Sequence, residues 1–137
     1  MATAILIDGA FFLHRYRALM TESTQHNPED VASMMMRWAL SHLNQNDERR
    51  DLYRIFYYDC KPIGRRSIYH PLTKRNVDLD KSETYTWTLT FLEELKKRRK
   101  FALRLGELSN QACYNLRPDV TKKLLAGTRT LDSLTEE

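Results

Sequence analysis

Apolar residues fall along this chain in short blocks whose spacing switches between the two-residue period of strands and the three-and-four period of helices. Thr3-Ala-Ile-Leu-Ile7 is short, mostly apolar and bounded by Asp8-Gly9, which predicts a strand buried on both faces inside a parallel sheet. Gly9 allows a tight turn, and residues 10–20 continue with Phe12, Leu13, Tyr16, Leu19 and Met20 on one helical stripe. Residues 21–27 are polar and predict a loop. Asn27 is a suitable N-cap, Pro28 fits the first helical position, and Glu29 and Asp30 complement the positive end of a helix running to about Leu43. Val31, Met34, Met35, Trp38 and Ala39 form its apolar face, expected to lie on a sheet.

Residues 52–58 are dense in aromatic and branched side chains and predict a second strand, followed like the first by an aspartate, Asp59. Residues 61–81 hold Pro62, Gly64 and Pro71 among Arg65, Arg66, His70, Lys74 and Arg75, a long basic excursion from the strand end. Ser82 caps a helix expected to run to about Lys100, with Tyr85, Leu89, Leu92 and Leu95 on its stripe and Trp87 and Phe91 widening it. Residues 101–105 give a third strand closing at Gly106, and Arg117-Pro118-Asp119 opens a final helix to Ala126, with Gly127 as its left-handed cap. Strands alternating with helices, without an internal repeat, predict one α/β unit built on a parallel sheet.

With 137 residues, 42% hydrophobic and 29% charged, the composition is that of a globular chain with one core. The first apolar run ends at Asp8, too short for a membrane span or a signal-peptide core, so the cytoplasm is the expected location. Cys60 and Cys113 stand alone and predict two reduced thiols, neither a disulfide framework nor a CxxC-type zinc site. Twenty-two Lys and Arg against eighteen Asp and Glu leave a net charge of +4, which mildly favours polyanionic partners.

Ligands in open α/β sheets bind beyond the carboxyl ends of the strands, where Asp8 and Asp59 are both expected. If the first two strands are parallel neighbours, these carboxylates meet there as hard oxygen ligands for Mg²⁺ or Mn²⁺; otherwise each simply caps the helix or turn that follows. The Asp8-Gly9-Ala10-Phe11-Phe12-Leu13 turn lacks the glycines of a dinucleotide-binding fingerprint, and neither a P-loop nor a G-x-S-x-G elbow occurs. His14, His26, His42 and His70 show no ligand spacing. The Lys96–Lys100 cation run suits a solvated helix end. Arg65, Arg66, Lys74 and Arg75 are the better nucleic-acid candidates, with Tyr58 and Tyr69 available either to stack bases or to pack.

Three blocks, Ala4-Ile-Leu-Ile-Asp8-Gly9-Ala10, Tyr53-Arg-Ile-Phe-Tyr-Tyr-Asp59 and Phe101-Ala-Leu-Arg-Leu-Gly106-Glu107-Leu108, resemble the NYN domain family, relatives of PIN nucleases. The resemblance spans most of the chain and implies a Rossmann-like PIN/NYN fold that cleaves RNA with a metal held by an acidic cluster. It makes Asp8 a metal ligand and catalytic residue, and matches Asp59 to the catalytic aspartate after the second strand. Family members commonly carry an asparagine soon after the Asp-Gly pair, where this chain has Phe11 and Phe12. They also continue into K-G-V-D and S-G-D-S-D-like acidic motifs beyond the point corresponding to Glu137. The implied single domain, residues 1–137, is therefore incomplete at its C-terminal end, with weak or absent cleavage in this form. The first strand's open edge is then expected to recruit a second copy or a partner chain supplying the missing strands. A non-catalytic nucleic-acid-binding or assembly module is the alternative.

Overall fold

The structure is a computed structural model and describes residues 1–22, 26–45, 48–64, 67–109 and 113–134. The chain divides into two compact units, residues 1–62 with 82–108, and residues 63–81 with 109–137.

The first unit is mixed α/β. Strand β1 (Ala2–Asp8) pairs in parallel with β2 (Asp51–Cys60), and β2 pairs in parallel with β3 (Phe101–Gly106), giving the order β1-β2-β3. Helices α1 (Gly9–Leu19), α2 (Pro28–Ser41) and α3 (Glu83–Lys96) connect them. The helix starts follow local chemistry: Asn27 Oδ1 accepts the Asp30 amide at 2.8 Å and Ser82 Oγ accepts the Tyr85 amide at 3.1 Å, each satisfying a donor with no intrahelical partner.

Register fixes which side chains share a face. Ile5, Ile55 and Phe101 align across the sheet, as do Ile7, Tyr57 and Leu103. This face meets the helices in a core of Tyr16, Val31, Met35, Tyr57, Phe91 and Leu95. Aromatic edges and faces tie the layer together: Phe12 and Tyr16 of α1 contact Trp38 of α2, while Phe91 of α3 stacks on Trp87 and meets Tyr57 edge-on. Arg98 beyond α3 donates to the Glu29 carbonyl and Ser33 Oγ of α2.

Four expectations are corrected. β1 is not buried on both faces inside the sheet: β2 is its one neighbour among the described residues, and Leu6 is 64% exposed. The apolar run reads the same for either position, because an edge strand with one covered face can still be apolar throughout. The stripe of α2 lies chiefly against α3 and α1 rather than on the sheet. Helix α3 ends at Lys96, with Lys97 as its cap and Lys100 at φ 64° leading directly into β3. Gly9 is not a turn residue but the first residue of α1.

The second unit contains an antiparallel hairpin of β4 (Ser67–His70) and β5 (Arg75–Asp78), and helix α4 (Pro118–Leu125). The basic excursion is thus partly regular rather than a loop throughout. Lys74 turns the hairpin at φ 55°, its amide donating to the His70 carbonyl at 2.9 Å. Gly127 takes the left-handed conformation expected after α4, at φ 74°.

Candidate active site

Parallel pairing of β1 with β2 brings Asp8 and Asp59 to the same end of the sheet, each at its strand's carboxyl end. Asp8 is also the N-cap of α1, its Oδ1 accepting the Phe11 amide at 3.0 Å. Asp59 is held on both oxygens: Oδ2 accepts the Tyr57 hydroxyl at 2.8 Å and Oδ1 accepts the Cys60 amide at 2.7 Å. Both carboxylates bear on one group, the Tyr57 hydroxyl. Burial pushes its ionisation well above the ordinary 10.0, reinforced by the hydrogen bond to Asp59 and by the negative charges of Asp59 and Asp8.

The folded state therefore keeps the Tyr57 proton above pH 10 while the unfolded chain loses it. Stability should fall as pH rises through that range, by up to about 1.4 kcal/mol per pH unit from this group. Tyr57→Phe is expected to flatten this alkaline loss in urea unfolding at pH 9–11; an unchanged slope would show that other groups cause it.

Gly9 lets the start of α1 approach these side chains. A Cβ there would lie 2.7 Å from Asp59 Oδ2 and closer still to the Tyr57 hydroxyl, whose ring is fully buried. Alanine gains about 1 kcal/mol in helix propensity, but overpacking against an immobile ring costs about 1–3 kcal/mol. Gly9→Ala is expected to lower thermal stability and Gly9→Val to lower it further; a Gly9→Ala chain more stable than the original would refute the tight approach.

On the sheet face away from the helices, Asp8, Tyr58 and Arg104 occupy one row across the three strands. Tyr58 is 45% exposed, and Arg104 lies over the Phe56 ring at 5.4 Å. Neither Tyr57 nor Arg104 stands out as a site residue in the sequence; the alternation of β2 and β3, set in register against Asp8, is the signal that finds them. Phe11 and Phe12 separate: Phe11 is 64% exposed, whereas Phe12 packs against the core.

Of the basic candidates, Lys74 and Arg75 lie in the hairpin of the second unit, and Tyr69 beside them is 57% exposed. Arg65 and Arg66 lie outside the described residues. His70 is 3% exposed, its Nδ1 accepting the Thr73 amide at 3.3 Å. Cys60 and Cys113 are both free thiols.

Asp8 and Asp59 are the two carboxylates that the strand ends place at this end of the sheet; among the described residues no cluster of three His, Cys, Asp or Glu side chains is present. Carboxylate oxygens can accept more than one contact, and Mg²⁺ typically takes one or two carboxylates, with water and substrate phosphate completing its shell. Two carboxylates are the number such a site uses, and each oxygen of Asp59 already accepts one hydrogen bond. No helix among the described residues is long and apolar enough to cross a membrane. No family model, curated protein or solved structure matches the chain.

Proposed function

We propose that the chain is a PIN/NYN-type ribonuclease domain that hydrolyses RNA phosphodiester bonds with Mg²⁺ or Mn²⁺, acting in the cytoplasm. The observation that carries this reading is the arrival of Asp8 and Asp59 at the same end of the parallel sheet, with Asp59 accepting the Tyr57 hydroxyl at 2.8 Å and the Asp8 charge also acting on that hydroxyl. Asp8 and Asp59 would hold the cation. When bound, it would supply charge stabilisation to the phosphodiester and increase the acidity of a bound water. The Phe11 amide fixes the Asp8 carboxylate, and Tyr57 with the Cys60 amide fixes that of Asp59, so both donors are oriented before substrate arrives. Arg104, in the same row as Asp8, is suited to the backbone charge of the strand, and Tyr58 between them to a base face.

Mn²⁺ titration followed by NMR tests the donor set. Resonances around Asp8, Tyr57 and Asp59 should broaden first, and Asp8→Asn should weaken that effect about tenfold or more. Broadening centred elsewhere, or unchanged by the substitution, would overturn it.

A second reading, a non-catalytic nucleic-acid-binding or assembly module, is favoured by the exposed Phe11 just past the cap and by β1, which has an exposed Leu6 and, among the described residues, β2 as its one neighbour. Such an edge suits a second copy or a partner strand. This reading expects salt-dependent RNA binding that Asp8→Asn leaves intact, and concentration-dependent association by light scattering. A monomer at high concentration would count against the assembly role.

A further inference from the structure

The second unit contains a cleft of about 720 Å³, within the size range of small-molecule sites. Leu72, Val120 and Leu131 give it apolar walls; Lys74, Arg129 and Arg117, the last paired with Asp119 at 3.2 Å, line it, with Asp132 as the one lining carboxylate among the described residues. Arg129 is oriented by Ser133: its Nε donates to Ser133 Oγ at 3.3 Å and its Nη2 to the Ser133 carbonyl at 3.2 Å. Lys74 is carried on the left-handed turn of the hairpin. The cleft also holds an aromatic platform. The Tyr114 ring lies 4.4 Å from the ring of His70, which is 3% exposed, while Tyr114 itself is 43% exposed. A buried ring thus supports one that remains accessible.

Cations, apolar walls and an accessible ring together match a ligand with a planar aromatic part and an anionic part. We infer that this cleft binds a nucleotide unit, with the base against Tyr114 and the phosphate toward Lys74 and Arg129. A free nucleotide and a nucleotide within a single strand share this chemistry. Phosphate contacts supply the salt-sensitive part of the affinity and ring stacking the part that salt spares. The ring argues for a nucleotide over an anionic lipid headgroup, which would use the cations alone. The inference goes beyond RNA cleavage, because it needs neither Asp8 nor a metal.

Full-length chain in EDTA would be titrated with 5′-AMP, adenosine, inorganic phosphate, octaadenylate and phosphatidylglycerol vesicles. Either 5′-AMP or octaadenylate should bind, and more tightly than adenosine or phosphate; 5′-AMP binding identifies the free nucleotide as sufficient, and octaadenylate binding alone identifies the strand. Tyr114→Ala should weaken binding about tenfold, while Tyr114→Phe should keep it within about twofold because the ring remains. Lys74→Gly, which suits the left-handed backbone, and Arg129→Gln should each weaken binding and lower the salt slope for octaadenylate by about one. Leu125→Ala, at an exposed residue that does not line the cleft, should leave binding unchanged. Absence of binding by both nucleotide probes, affinity unaffected by Lys74→Gly and Arg129→Gln, or binding of vesicles alone would overturn the inference. If Tyr114→Ala fails to fold, the Lys74, Arg129 and Tyr114→Phe variants still decide it.

Discussion

Replacing Phe91 with alanine is expected to cost about 3–5 kcal/mol of unfolding free energy. Phe91 is fully buried in α3, stacked on Trp87 at a centroid distance of 5.1 Å and edge-on to Tyr57 at 5.9 Å. Removing its ring leaves a hole between the helix layer and β2, and the neighbouring rings cannot fill it without giving up their own contacts. The loss should also loosen the Tyr57 hydroxyl that holds Asp59. Denaturation followed by tryptophan fluorescence reads the effect close to its origin, at Trp87. Leu125→Ala, at a residue 85% exposed, should change stability by less than about 0.5 kcal/mol. Similar losses for both variants would contradict this placement of the core.

Asp8→Asn is expected to lower RNA cleavage about a hundredfold or more while leaving stability nearly unchanged. Asparagine is as good an N-cap as aspartate, so its side-chain oxygen can still accept the Phe11 amide that Asp8 holds at 3.0 Å. What disappears is the negative charge, and with it the means of neutralising a divalent cation at the strand end. Asp8→Ala loses both the cap and the charge, adding a stability cost of about 1 kcal/mol. Comparing the two by thermal unfolding and by cleavage rate separates the structural duty of Asp8 from its chemical one. Equal cleavage by wild type and Asp8→Asn would leave only the cap.

Much of this arrangement is legible locally. The apolar blocks of β1, β2 and β3 and the caps Asn27 and Ser82 act within a few residues, and each is realised where the pattern predicts it. The place of Asp8 and Asp59 at strand ends is legible for the same reason. Neighbourhood in space is less so: an apolar run such as Ala4-Ile-Leu-Ile7 has no mark distinguishing an edge from an interior strand, and β1 lies at the edge of the sheet among the described residues. The β4–β5 hairpin escapes pattern reading because its strands have four residues each and Arg75-Asn76 carries little strand propensity. Tyr57 reads as one aromatic among several in β2; only the close approach of Gly9 and the bond to Asp59 distinguish it. The cleft around Tyr114 joins residues about 40 positions apart in sequence, and no local period reports such a meeting.

Cleavage of 5′-labelled single-stranded RNA, with Mn²⁺ or Mg²⁺ and with EDTA, tests the proposed chemistry most directly when wild type and Asp8→Asn are prepared in parallel. Metal-dependent cleavage by wild type that is lost in EDTA and in Asp8→Asn is the predicted result. Absence of metal-dependent cleavage by wild type, or equal cleavage by both proteins, would contradict the nuclease reading and leave the binding or assembly module in its place.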